Sequence, residues 1–207
     1  MNKKHLWNFL QHGQLRIGTL NEYRDIEKHG GEIGDEKEGT KLIYQAFENQ
    51  EWTSQDEVPK FLRENLIIKN GGKISLHGKN ENIKMGLSLE TENYYLFSCT
   101  TEFSKDSMQR FGYNSCLLIQ NPKNFFKVVS KAIRHKASFV GFFQCIYKNR
   151  IEKYNQTSSY HLALIKPPSY SYQKEIRGLW YPKNENIKPI IIKNRKAITY
   201  CSICNFT

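Results

Sequence analysis

Apolar residues recur at helical spacing in two places along the chain. Leu6, Trp7 and Leu10 share one face of Lys3–Gln11, and Gly13 can end that helix. Phe125, Phe126, Val129 and Ile133 do the same within Asn121–His135, where Asn121-Pro122 supplies a helix start. Elsewhere the period is two. Leu15, Ile17 and Thr19 fall on one face of a half-buried strand, which sends Arg16 to the other. Asn93–Thr101 is rich in aromatic and β-branched residues and predicts a firmer strand. Ser115–Gln120 predicts another, Ser138–Tyr147 a buried one, and Lys174–Trp180 and Pro189–Lys193 are strand-like. Between residues 42 and 90, short strands alternate with turns: Leu42–Tyr44, Asn65–Lys69, the Asn70-Gly-Gly turn and Lys73–His77. One early helix, many strands and one clear middle helix predict a single α+β domain over residues 1–207, with no internal repeat.

Composition narrows the class. Hydrophobic residues make up 39% of the 207, enough for a packed core, and the 13% aromatic share excludes extensive disorder. No apolar run reaches the length of a membrane span, and the opening residues lack the apolar core of a secretory signal. A cytoplasmic protein without a membrane partner is the expectation. Its five cysteines, an odd number, fit reduced thiols. The single Cys201-Ser-Ile-Cys204 has no second pair of ligands for zinc, and two buried strand cysteines are the simpler reading.

Charge is the most informative bulk property. The net +11 is unevenly spread: residues 1–60 carry 8 basic and 11 acidic side chains, residues 61–207 carry 23 and 9. A strongly basic back half points to a polyanionic partner, nucleic acid above all. The front half instead concentrates seven carboxylates in residues 21–41, among Gly30, Gly31, Gly34 and Gly39. That segment reads as an irregular, solvated loop. A Mg²⁺-dependent nuclease could use such carboxylates, but no second acidic cluster completes a two-metal site. The six histidines show no metal spacing, and nothing local marks Cys99 or Cys145 as an activated thiol.

Three segments place polar groups on otherwise apolar strands: Arg16, Ser98 with Thr100, and Gln173 with Glu175. An arginine fork suits a diphosphate, paired hydroxyls orient a ribose, and a glutamate beside them suits glycosyl transfer. In order and type these segments resemble the Arg–Ser–Glu class of NAD-dependent ADP-ribosyltransferases, whose pattern is an early-strand arginine, a Ser-x-Ser/Thr motif and a late Gln/Glu-x-Glu. The layout is also similar to that of toxin-like ADP-ribosylating domains of bacteria and phages.

The resemblance implies two packed, highly curved, split sheets with NAD between them. It implies that Arg16 binds the NAD phosphates, Ser98 positions ribose and Glu175, and Thr100 buttresses the site. Glu175 would hydrogen-bond the ribose 2′-hydroxyl and stabilise the cation left when nicotinamide departs, and Gln173 would orient the incoming nucleophile. Lys166–Tyr172 would be the target-recognition loop, with Tyr170 or Tyr172 stacking on the target. The function implied is mono-ADP-ribosylation of RNA or DNA by a toxin or anti-phage effector held in check by an inhibitory antitoxin. Two alternatives stand beside it: modification of protein arginine, and a non-catalytic nucleic-acid-binding module. As structure alone, Arg16 is an exposed edge-strand arginine, Ser98 and Thr100 satisfy backbone groups, and Glu175 pairs with Arg177 or Lys174 on a solvated strand face.

Overall fold

The period-two segments pair with one another, and the two helical ones pack against them or beside them. The computed structural model describes residues 1–47, 50–53, 59–65, 73–76 and 83–204. Within it the chain forms two compact units. The larger comprises residues 1–39, 91–148 and 161–207, and the smaller residues 40–90 and 149–160. Both are built mainly from antiparallel strands with few helices, an α+β architecture. The sequence, read as one domain, carries no composition shift at these boundaries. Among the described residues no helix is long and apolar enough to cross a membrane.

The larger unit is organised on helix α1 (Lys3–His12), strands β1 (Gln14–Thr19) and β2 (Tyr95–Thr100), helix α2 (Pro122–Ile133), and strands β3 (Ala137–Gln144), β4 (Glu175–Pro182) and β5 (Ile190–Lys193). The strands form one antiparallel sheet in the order β5-β1-β2-β4-β3. One pairing is unusually short. β1 meets β2 only through Gly18–Leu96 and Thr19–Tyr95, while its first four residues pair with β5 on the other side.

Alternation divides the sheet cleanly. Leu15, Ile17, Tyr95 and Trp180 face α2, whose Phe125, Phe126, Val129 and Ile133 complete the main core together with Phe9 of α1. Asn121 caps α2 by accepting the Asn124 N–H at 3.1 Å, with Pro122 in the first turn. Gly178 lets α2 come close: a Cβ there would stand 2.2 Å from the Phe126 ring. The opposite face carries a smaller cluster of Leu20, Leu96 and Leu179 against Ala163 and Leu164. Arg16, Ser98, Glu175 and Arg177 share that second face.

The smaller unit holds a three-stranded sheet. Its central strand, Thr40–Phe47, runs antiparallel to Ile83–Glu90 and parallel to Ile151–Lys153. Phe47 packs there on Phe61 and Leu62 of the helix Lys60–Asn65, and a buried Lys41–Glu152 ion pair of 2.6 Å joins two strands.

Two expectations change. Ser138–Tyr147 is not one buried strand. It splits into β3, an edge strand with Phe139, Val140, Phe142 and Phe143 exposed, and Ile146–Tyr147, which pairs with Ile165–Lys166. An unbroken apolar run gives no sign of which edge lacks a neighbour. Asn65 ends a helix rather than beginning a strand, while residues 66–72, with the Asn70-Gly-Gly turn, lie outside the described residues.

Candidate functional site

The three polar segments come from adjacent strands. β1 carries Arg16, β2 carries Ser98 and Thr100, and β4 carries Glu175, in the lateral order β1-β2-β4. Glu175 lies in register with Thr100, and Arg177 with Ser98. Across the strands the Ser98 hydroxyl donates to Glu175 Oε1 at 2.6 Å.

Glu175 is nevertheless enclosed, with 5% of its surface exposed. Arg177 Nε donates to its Oε1 at 2.8 Å and Lys166 Nζ to its Oε2 at 2.7 Å. Its backbone N–H donates to the Tyr147 hydroxyl at 2.7 Å. Burial by itself would raise its pKa, but the Arg177 and Lys166 cations outweigh it and hold the carboxyl at about 2. Arg177 then reaches Glu38 with both terminal nitrogens, at 2.9 and 3.0 Å. The four buried side chains Lys166, Glu175, Arg177 and Glu38 thus carry two charges of each sign.

The remaining predicted residues surround this cluster. The Gln173 side-chain carbonyl accepts from Lys166 at 2.5 Å, and its amide donates to the Glu32 carbonyl at 2.8 Å. Thr100 Oγ1 lies 2.9 Å from the carbonyl oxygens of both Gln173 and Glu102, a buttressing position. Arg16 is exposed and ion-paired with Glu22. Tyr23 covers Gly18 beside it. The Tyr23 phenol is pushed up to about 12, first by burial and then by the charge of Glu175, with Arg16 opposing. Both ends of the predicted motif therefore act on one phenol.

The segment assigned to target recognition is a 3₁₀ turn, Pro168–Gln173, closed by Lys174 in a left-handed conformation. Its tyrosines have partners. Tyr170 Oη lies 2.9 Å from the Gly34 carbonyl oxygen, with the Lys166 ammonium 4.9 Å from its ring centroid. Tyr172 hydrogen-bonds Glu32, and the Arg110 guanidinium lies 4.8 Å from its ring centroid. His161 accepts the Ala163 N–H at 3.2 Å and lies 3.2 Å from Tyr94 Oη, a structural placement.

Two residues of the cluster, Glu38 and Lys166, escaped the sequence reading, whereas the pairing of Glu175 with Arg177 is as expected, though buried rather than on a solvated face. The acidic segment is not wholly solvated, since Glu38 is 0% exposed, because Arg177 needs a buried counter-charge. Alternation on β4 puts Arg177 and Glu175 on one face, and the sequence already offered them as a pair. Lys166 gave the faintest signal, a lone charge ending the apolar run Leu162–Ile165. Burial pushes the Cys99 and Cys145 thiols up to about 12, which disfavours a thiolate at either. The two C-terminal cysteines are not both buried strand residues: Cys201 lies on the strand Cys201–Ile203, Cys204 just beyond it, and both are partly exposed. Among the described residues no group of three His, Cys, Asp or Glu side chains is arranged to hold a metal.

No family model, curated protein or solved structure matches this chain.

Proposed function

We propose that this chain is an NAD-dependent mono-ADP-ribosyltransferase that modifies RNA or DNA, acting as a toxin or anti-phage effector and restrained by an inhibitory antitoxin. The supporting observation is the hydrogen bond from Ser98 to Glu175 across two adjacent strands, with the strand bearing Arg16 next in the sheet. The early parting of β1 from β2, after two residue pairs, is in keeping with a split sheet.

The donor set fits NAD. Arg16 offers an exposed fork to the diphosphate, and Ser98 and Thr100 are exposed beside Glu175. A carboxylate has about four acceptor positions, and Glu175 uses three, for Ser98, Arg177 and Lys166. Its free position, on Oε2, suits a ribose hydroxyl. Bound NAD would supply the glycosidic bond to nicotinamide whose ribose is passed to the target. Lys166 and Arg177 keep Glu175 ionised and fixed in direction, so it works as an oriented acceptor within a neutral cluster. Gln173, held at both ends of its amide, is set to orient the attacking group.

The charge of residues 61–207 favours nucleic acid over protein arginine, because a basic surface repels a basic target. One observation favours a second reading. Lys166 and Arg177 engage both oxygens of Glu175, as they would in a purely structural core of a non-catalytic binding module.

Labelled NAD incubated with RNA, single-stranded DNA or cell lysate separates the two readings. Removing Glu175 strands two buried cations, so Arg16→Ala, at an exposed position, is the cleaner variant. Label in one fraction, lost in Arg16→Ala while the melting temperature holds, supports transfer and names the target class. No label and no nicotinamide release would sink it.

A further inference from the structure

Where the end of α2 meets the edge strand β5, the surface holds a groove of about 510 Å³. Its lining is apolar at Ile133, Pro189 and Ile191 and basic at Lys136 and Lys193. Residues 122–136 carry Lys123, Lys127, Lys131, Arg134 and Lys136 without one acidic residue. Lys123, Lys127 and Lys131 recur every fourth position, which aligns them along one side of α2. Residues 183–196 add Lys183, Lys188, Lys193, Arg195 and Lys196 against Glu185 alone. All ten cations are exposed, and among the described residues none has an ion-pair partner.

A helix C-terminus accounts for one or two such cations. It does not account for ten on two segments that share a groove. Unpaired like charges at this density repel one another, and a bound polyanion removes that repulsion. We infer that the groove and its basic rim bind the phosphodiester backbone of a single-stranded nucleic acid. A strand lying in the concavity meets cations on both walls and apolar side chains on its lining. A flat lipid surface would touch the rim alone. The position suits the proposed site, because Ile191 on the groove lies in register with Arg16 on the next strand. A strand bound here has only the β5 edge to cross. The inference rests on the nucleic-acid reading given above but does not require transfer chemistry.

The test is anisotropy of labelled 20-nucleotide RNA and DNA strands of mixed sequence, titrated with the full chain across a series of KCl concentrations. Three proteins are compared: the native chain, a groove variant (K131Q, K136Q, K193Q), and a charge-matched control in the smaller unit (K60Q, K84Q, K153Q). The groove variant should bind at least about tenfold more weakly near 0.1 M salt. Its plot of log affinity against log salt should flatten by about two units, as expected for three lost phosphate contacts on a single strand. The control should bind as the native chain does. Equal loss in both variants, no strand binding by the native chain, or binding only to phosphatidylserine vesicles run in parallel would each overturn the inference. Nicotinamide release from NAD alone, measured on the same samples, should be equal in the native chain and the groove variant. Release without strand binding defeats the groove and leaves the transferase. Groove-dependent binding without release does the reverse.

Discussion

Arg177 and Glu38, far apart in the chain, form a two-pronged ion pair of 2.9 and 3.0 Å with almost no solvent contact on either side chain. Such a pair gains little over a well-packed apolar pair, yet breaking it is costly because one charge is left buried alone. Glu38→Gln should therefore destabilise the fold by about 3–5 kcal/mol. The double change Glu38→Gln with Arg177→Met should cost less than Glu38→Gln alone. Urea unfolding of both variants checks this.

Ser98 orients Glu175 from an exposed position, so its loss should spare the fold and reach the chemistry. A hydrogen bond to a charged group contributes about 1.5–3 kcal/mol. Ser98→Ala should lower kcat/KM for nicotinamide release by about 10- to 100-fold in a chain that still folds, its melting temperature lower by several degrees. Unchanged turnover would remove Ser98 from the site.

The Glu175 carboxyl sits at about 2 in the fold against an ordinary value of 4.5. A depressed carboxyl contributes stability that is present above the higher value and is lost as pH falls toward the lower. The difference is on the order of 3 kcal/mol. Unfolding free energy of the native chain should fall between pH 4.5 and 2, and Glu175→Gln should lack that component of the acid loss.

Gly178 has no room for a side chain, since a Cβ would come within 2.2 Å of Phe126. Gly178→Ala should cost about 1–3 kcal/mol by overpacking, read as a lower melting temperature. Phe126→Leu in the same chain should restore part of it.

Much of the larger unit was legible because its signals are local. The periodicity of Phe125, Phe126, Val129 and Ile133 marked α2, alternation around Arg16 marked β1, and the aromatic and β-branched run Asn93–Thr101 and the strand-like Lys174–Trp180 marked β2 and β4. The Glu175–Arg177 pair was legible too, but the other partners in the cluster were not. Nothing near Glu38 in a glycine-rich acidic segment tells that this one of seven carboxylates is fully enclosed, because that depends on an arginine 139 positions away. Lys166 was hidden although its partners Gln173 and Glu175 are near in sequence, because the turn Pro168–Gln173 that brings them together has no periodic signal. The exposure of Phe139, Val140, Phe142 and Phe143 follows from β3 being an outer strand, a property of the whole sheet rather than of its own residues.

The ion cluster draws on residues 38, 166, 175 and 177, with Ser98 donating into it, so its members leave the ribosome at widely separated times. Glu38 is made long before Arg177 and Ser98 long before Glu175, and the strand bearing Arg16 cannot gain its β5 neighbour until synthesis has reached Lys193. Contacts this distant in sequence form late. Whatever the cluster supports is withheld until the strand Ile190–Lys193 has been made and paired.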